Sequence, residues 1–178
     1  ISDGIQAGFL ENKLQYALLG DPALLMGNPT QNVVVEKIND KDVDGTPIPL
    51  KAGERVKLSG HVEQSDGTLM TDFNGIVYTR LFDNKETITC HNNAGAENPF
   101  TFTDRNAKLY ESQDSVQAGL FSEEFIIAVD INYSNQTGRL VFYAINDAGN
   151  IEANGYNENI PLGGVVDNTD FDKDGPQI

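Results

Sequence analysis

Hydrophobic and polar residues alternate along most of the chain after residue 30. In the segment ERVKLSGHV (54–62), the apolar Val56, Leu58 and Val62 are separated by charged or polar residues. A period of two predicts a β-strand with one buried face, and it places His61 on the solvent-facing side. Segments rich in β-branched and aromatic residues predict further strands at 31–38, 75–83, 86–92, 99–103, 107–111, 115–121, 123–131 and 138–147.

Turn-forming residues separate these strands, as at Asp44-Gly45 and Asp66-Gly67. Many short strands at this spacing predict a mainly β fold, an antiparallel two-sheet sandwich of immunoglobulin-like or jelly-roll-like type. Residues 1–26 depart from the pattern, because their apolar positions fit either a short helix or a buried strand around Gly20-Asp21-Pro22. The chain is therefore expected to begin with a short helix or strand segment that is foreign to the sandwich.

Composition narrows the range of partners. With 178 residues the chain can form one hydrophobic core of good size. Its 12 Lys and Arg against 27 Asp and Glu give a formal net charge of −15, which would repel nucleic acid and anionic membranes. No apolar run approaches the roughly 20 residues of a membrane span. We therefore expect neither nucleic-acid binding nor membrane insertion.

One cysteine and one histidine stand side by side in TITCHNN (87–93), and the question is whether they form a catalytic pair. On a strand, Cys90 shares a face with Ile88, whereas His91 points the other way. The two side chains therefore cannot form a thiol–imidazole dyad with each other. We expect Cys90 to be a small buried hydrophobe. One cysteine and two histidines are also too few for a zinc site, so no catalytic residue, metal or other cofactor is expected here.

The acidic tail DFDKDG (170–175) is a weak candidate for calcium. Asp170, Asp172 and Asp174 occupy positions 1, 3 and 5 of an EF-hand-type loop, followed by Gly175. The bidentate glutamate of position 12 has no counterpart in the sequence. We therefore interpret residues 167–178 as an acidic linker to a following domain.

Three stretches carry a resemblance to a known family. They are LQYALLGDPALLMGNP (14–29), VYTRLFDNKETITC (77–90) and TGRLVFYAINDAGNIEANGYNENIPLGG (137–164). The first resembles the segment that closes the catalytic domain of gingipain-like cysteine peptidases, in which an apolar run leads into Gly20, Asp21 and Pro22. The other two resemble the β-sandwich that follows this domain in the type IX secretion system sortase of Bacteroidetes.

This resemblance implies a domain organisation. Residues 1–26 would be the end of an absent caspase-like peptidase domain, and residues 30–166 would be the β-sandwich module. The nucleophilic cysteine and general-base histidine of the family lie upstream of the Gly-Asp-Pro segment, so no residue of this chain matches them. The resemblance therefore implies a module without catalytic activity.

The resemblance also implies where the parent protein works and what it contacts. The parent would lie on the extracellular face of the outer membrane of a Gram-negative bacterium and would process C-terminal sorting signals of secreted proteins. The module would be a scaffold and a protein-interaction domain, with the upstream peptidase domain, secretion-system proteins or secreted substrates as its partners. Residues 1–26, without their own domain, would pair with a second copy and form a homodimer.

Two other functions are open. Many surface β-sandwiches bind carbohydrate, usually through exposed tryptophans, but this chain has no Trp. The tyrosines it offers instead are mostly placed within strand patterns; they are Tyr78, Tyr110, Tyr133, Tyr143 and Tyr156. A carbohydrate-binding module is therefore the alternative to the scaffold. A hydrolase with paired carboxylates is the third possibility, because 27 acidic residues could supply a pair, although no spacing in the sequence identifies one.

Overall fold

The computed structural model describes residues 29–93, 95, 97–131 and 136–166. The regular structure in this part consists of strands: β1 (Gln31–Ile38), β2 (Lys41–Asp42), β3 (Leu50–Ala52), β4 (Arg55–Glu63), β5 (Gly75–Phe82), β6 (Glu86–Thr89), β7 (Thr101–Asp104), β8 (Lys108–Val116), β9 (Leu120–Ile126), β10 (Thr137–Asn146) and β11 (Glu152–Val165). The described part has no helix, and hence none that could cross a membrane. The expected helix or strand within residues 1–26 lies outside it.

Seven of the strands form one continuous sheet in the order β8-β5-β10-β11-β1-β4-β9. β2 adds to β1, β3 adds to β11, and β6 pairs with β7 in a separate two-stranded sheet. Most neighbours are antiparallel, but β11 runs parallel to both β1 and β3. The mainly β fold is confirmed. The expectation of a purely antiparallel fold is wrong, and a division into two stacked sheets is not confirmed.

The sheet curls until its two end strands meet. β8 and β9 lie at opposite ends of the strand order, yet they are consecutive in sequence and joined by a turn at 117–119. Ala118 and Gly119 in this turn have φ angles of 49° and 77°. The ring of Tyr110 on β8 stacks on that of Phe125 on β9, with centroids 3.9 Å apart. The sheet is therefore nearly closed.

The hydrophobic core fills the interior of the curled sheet. Buried side chains alternate with more exposed ones along β4, β5, β9 and β10. The largest fully buried side chains of the described residues are Phe73, Phe142, Ile38, Leu50, Leu58, Leu81, Ile127, Leu140, Ile160 and Leu162. Gly155 on β11 lies close beneath β1, because a Cβ added there would be 1.9 Å from the carbonyl oxygen of Val33. Only glycine allows β1 and β11 to approach this closely.

The observed strands agree with the predicted ones where alternation is strong and differ where glycine intervenes. β1 has the predicted bounds, and β4, β5 and β10 are each shifted by about one residue. The predicted strand 115–121 is wrong, because these residues span the end of β8, the turn and the start of β9. β11 was not predicted, since it contains Gly155, Pro161 and several asparagines, which are depleted in strands.

Candidate functional site

Both sets of site residues proposed from the sequence lie outside the described part of the chain. These are Gly20, Asp21 and Pro22 of the family motif and Asp170, Asp172 and Asp174 of the calcium candidate. Their roles stay predictions. Within residues 29–166, as far as they are described, no group of three or more His, Cys, Asp or Glu side chains could hold a metal ion.

The outer surface of β5, β10 and β11 carries an apolar and aromatic patch, which we call the tyrosine face. Strand register brings its members together, because Tyr78 pairs with Tyr143 and Ile76 pairs with Ile145 across β5 and β10. Val141 of β10 pairs with Tyr156 of β11. The tyrosine face thus consists of Ile76, Tyr78, Val141, Tyr143, Ile145 and Tyr156.

The tyrosine face is open to solvent. Tyr156 is 73% exposed and Tyr78 is 38% exposed. The rings of Tyr78 and Tyr143 have centroids 6.0 Å apart and are inclined by 34°. Two shallow hollows of about 400 and 390 Å³ adjoin at Val141, and together they reach across all three strands. Desolvation raises the pKa of the Tyr143 hydroxyl, and its hydrogen bond and proximity to the Glu152 carboxylate add to this.

Four cations and two carboxylates border one end of the tyrosine face. Arg80 Nε donates to Glu111 Oε1 at 2.6 Å, and the ammonium group of Lys108 pairs with the same carboxylate. Glu158 is likewise shared, as it pairs with Arg139 and, at 3.2 Å, with Nη1 of Arg105. These cations lower the pKa of both acids. The hydrogen bond from Lys108, followed by that from Arg80, lowers the pKa of Glu111, and the hydrogen bond from Arg139 lowers the pKa of Glu158.

Each of these two carboxylates therefore balances only one of its two cations. The guanidinium of Arg139 also lies 5.8 Å from the ring centroid of Tyr156, within cation–π range. The arrangement combines exposed rings, aliphatic side chains and surplus positive charge. It can bind an anionic group beside an apolar one.

A second exposed apolar surface lies on the hairpin formed by β6 and β7. Ile88 pairs directly with Phe102, and the Cys90 amide donates to the Phe100 carbonyl at 2.9 Å, so alternation places these four side chains on one face. We call them the hairpin face. Phe100 is 71% exposed, and its ring centroid lies 6.4 Å from that of Phe102.

Cys90 is exposed, so the prediction that it is buried is wrong. Alternation correctly grouped it with Ile88, but β6 and β7 pack chiefly with each other and no described strand covers their apolar face. Periodicity shows which residues share a face. It does not show whether another part of the molecule packs against that face.

His61 lies on the predicted outer side of β4 but is largely covered. Its side chain is 15% exposed and lies between two carboxylates, with Nδ1 2.9 Å from Glu36 and Nε2 3.2 Å from Glu63. The contact with Glu36 is close but lacks hydrogen-bond alignment. Because the two carboxylates approach different ring nitrogens, they do not converge on a point where a metal ion could sit. The prediction that His61 lies on the outer side of β4 is therefore correct. The prediction that its side chain points freely into water is wrong.

Glu123 is an acid inside the curled sheet that the sequence reasoning missed. It is 6% exposed, on β9 between the inward-facing Phe121 and Phe125. Its Oε2 accepts a 2.7 Å hydrogen bond from Ser112 on β8, while its Oε1 and the Thr79 hydroxyl are both buried near each other but form no well-aligned hydrogen bond with a described residue. Desolvation raises its pKa, although the hydroxyls of Thr79 and Ser112 oppose the shift. The alternation of Phe121, Glu123 and Phe125 was the available signal.

Comparison with known proteins relates this fold to a solved structure. No protein-family model matches the chain, and no curated protein does. The chain is similar to dimeric latent PorU from Porphyromonas gingivalis, with 32% sequence identity and a TM-score of 0.69 over 83% of this chain. This chain is related to one segment of PorU. It spans only 14% of the length of PorU. The similarity therefore does not define where domains begin and end in this chain.

A second similarity is weaker than the one to PorU. Spo0M, a sporulation control protein from Bacillus subtilis, is 13% identical with a TM-score of 0.42, covering 78% of this chain and 51% of that one. A score this low supports no conclusion about fold or function. Of these two similarities, the one to PorU therefore bears on what the chain does.

Proposed function

We propose that this chain is a non-catalytic β module of a cell-surface type IX sortase, a gingipain-like cysteine peptidase that processes C-terminal sorting signals. The observation that supports this proposal best is the similarity to PorU, which extends over most of this chain and a small part of PorU. In this proposal residues 1–26 end the peptidase domain, residues 30–166 form the module and residues 167–178 link it to the next domain. The module is a scaffold and a protein-interaction domain on the outer face of the outer membrane.

The hairpin face is the surface that we assign to contact with the upstream peptidase domain of the parent. A two-stranded hairpin is at best marginally stable in water unless other structure packs on it. Each large apolar side chain that becomes buried contributes about 1.5–3 kcal/mol. Covering Phe100 and Phe102, which are both exposed in the module, would therefore stabilise the hairpin and fix the module against its neighbour.

Catalytic inactivity is tested on the isolated chain. We expect it to hydrolyse no peptide, including substrates with Arg or Lys before the scissile bond, because no residue of this chain matches the catalytic cysteine and histidine of the family. Turnover that persists after repurification and disappears in Cys90→Ala would contradict the proposal. Sequencing the gene of the parent gives a second test, since a peptidase domain with a cysteine and a histidine must precede this segment.

The scaffold contact is tested with the double variant Phe100→Ser, Phe102→Ser in the full-length parent. We expect a lower melting temperature for the parent and little change for the isolated module, because the contact exists only in the parent. The matched control is Thr101→Ser, Thr103→Ser, which changes the opposite face of the same strand. Equal effects of the two double variants on the parent would show that the hairpin face is not the contact.

We also propose that a fragment carrying residues 1–26 forms a homodimer through them. The solved PorU is described as dimeric, which supports the possibility of self-association in this family but does not locate the interface. Light scattering on the chain with and without residues 1–26 tests the idea. A dimer that persists after the deletion would move the interface elsewhere.

A further inference from the structure

We propose that the tyrosine face binds an acidic protein segment in which an apolar side chain lies beside Asp or Glu. This inference goes beyond the scaffold role, because it concerns a different surface from the hairpin face and a partner outside the parent's peptidase domain. It rests on charge complementarity and on the chemistry of the groove.

One end of the tyrosine face carries more cations than carboxylates. The chain as a whole carries −15, yet Glu111 is shared by Arg80 and Lys108, and Glu158 is shared by Arg105 and Arg139. Two carboxylates thus face four cations in these clusters, and the exposed cations among them that line the groove are Arg80 and Arg139. Glu152, the carboxylate beside Tyr143, pairs in register with Ile145 at the opposite end of the face. By contrast, exposed Arg55 on β4 pairs with one carboxylate among the described residues, that of Glu124 at 2.7 Å. An acidic partner would supply the missing carboxylates and would be repelled by most of the remaining surface.

An apolar groove lies next to these cations. Val141 and Ile145 line it together with the rings of Tyr78 and Tyr143, while Tyr156 projects from β11 at its side. The groove continues past Val141 to Arg139, so an apolar side chain in it would place neighbouring residues of the ligand beside the guanidinium. Arginine binds carboxylates through paired N–H donors, which gives orientation as well as attraction.

The shape and lining of the groove suit a peptide better than a glycan. Tyr78 and Tyr143 are inclined by 34° to each other, so they do not form a flat platform for successive sugar rings. Val141 and Ile145 offer no hydrogen bonds to sugar hydroxyls, and the polar side chains that line the groove include the guanidinium groups of Arg80 and Arg139, which suit a carboxylate. Tyrosine and arginine are enriched at the energetically important positions of protein interfaces. These features favour a polypeptide over the carbohydrate that the alternative function would require.

The experiment is selection from a displayed library of random peptides on the intact chain. We expect enriched sequences that combine Asp or Glu with adjacent Leu, Ile or Phe, and whose affinity falls as salt is raised. Affinities of the enriched peptides are then measured by fluorescence anisotropy on variants of the face. The double variant Arg80→Ser, Arg139→Ser and the single variant Tyr156→Ser should each weaken binding about tenfold or more, as truncation of interface anchors does.

Arg55→Ser is the matched control, since it removes an exposed arginine with its own carboxylate partner from a strand in the other half of the sheet. It should leave the affinity unchanged, and circular dichroism should show that all variants are folded. Failure to enrich any peptide, enrichment without acidic residues, or equal losses in Arg55→Ser and the face variants would overturn the proposal. Oligogalacturonate is the glycan probe, and binding of it that requires Tyr156 and exceeds that of the peptides would also overturn it. None of these outcomes depends on the hairpin contact, so the two proposals can fail separately.

Discussion

The substitution Glu123→Gln should stabilise the protein at neutral and alkaline pH. Glutamine has nearly the same shape, so it preserves the packing between Phe121 and Phe125 and can still accept from Ser112. It removes a buried negative charge and supplies amide hydrogens that can bond the Thr79 hydroxyl oxygen, which has no well-aligned partner among the described residues. An unsatisfied buried polar atom costs about 1–3 kcal/mol, so the free energy of unfolding should rise by an amount of this order.

The stability advantage of Glu123→Gln should depend on pH in one direction. Burial raises the pKa of folded Glu123 above its ordinary value of 4.5. Between 4.5 and the folded pKa, folded Glu123 keeps a proton that the unfolded chain releases, so the contribution of this residue to wild-type stability falls as pH rises. The loss is complete above the folded pKa. The glutamine side chain does not titrate, so the stability advantage of Glu123→Gln should be small near pH 4.5 and should grow as pH increases.

The assay is urea unfolding of both proteins across this pH range, comparing midpoints at constant m-value. The matched control is Glu124→Gln, which changes the next residue on the outer face, where the carboxylate is half exposed and pairs with Arg55. That variant should change stability by less than about 1 kcal/mol. If Glu123→Gln is less stable than wild type at pH 8, or if its advantage does not vary with pH, the ionised carboxylate is stabilised by its surroundings and the reasoning fails.

Three further predictions concern packing and exposure. Gly155→Ala places a Cβ 1.9 Å from the Val33 carbonyl oxygen and should cost about 3 kcal/mol or more in urea unfolding, whereas Gly67→Ala has open space but a φ of 86° and should cost only about 1–2 kcal/mol; equal losses would show that β1 and β11 can separate freely. Phe142→Ala empties a fully buried site and should lower the free energy of unfolding by about 3–5 kcal/mol, and a loss below about 1 kcal/mol would mean that the core collapses around it. Cys90 should react with one equivalent of a thiol reagent in the native protein, because it is exposed, and reaction only after unfolding would contradict the exposed hairpin.

Comparison of expected and observed strands shows how far local pattern reaches. β1, β4, β5 and β10 were predictable because each combines β-branched or aromatic residues with one buried face, so the side-chain period records both the strand and its inner side. β11 was not predictable in the same way. Its glycine and proline positions disfavour a strand locally, and they are accepted because neighbouring strands on both sides supply the hydrogen bonds and the close contact at Gly155.

The candidate surfaces likewise depend partly on local alternation and partly on which strands are neighbours in the sheet. Alternation could tell that Tyr78 and Tyr143 occupy the outer sides of their strands, but not that β5 and β10 are neighbours and place the two rings 6.0 Å apart. The pairing of four cations with two carboxylates likewise joins residues from different strands. Sequence spacing carries no information about such pairs, because the strand order of the sheet determines which of them meet.

The sequence by itself determined the β class, the inner and outer sides of most strands and the strongly acidic character of the chain, since each depends on neighbouring residues or on composition. Only the tertiary structure decided which of those faces are covered. Ile88 and Cys90 share an apolar face as alternation predicts, yet that face is open because no described strand packs on it. Glu123 is enclosed although it is charged, because the curl of the sheet brings β8 against β9. Burial depends on contacts between residues far apart in the chain, and local periodicity does not specify them.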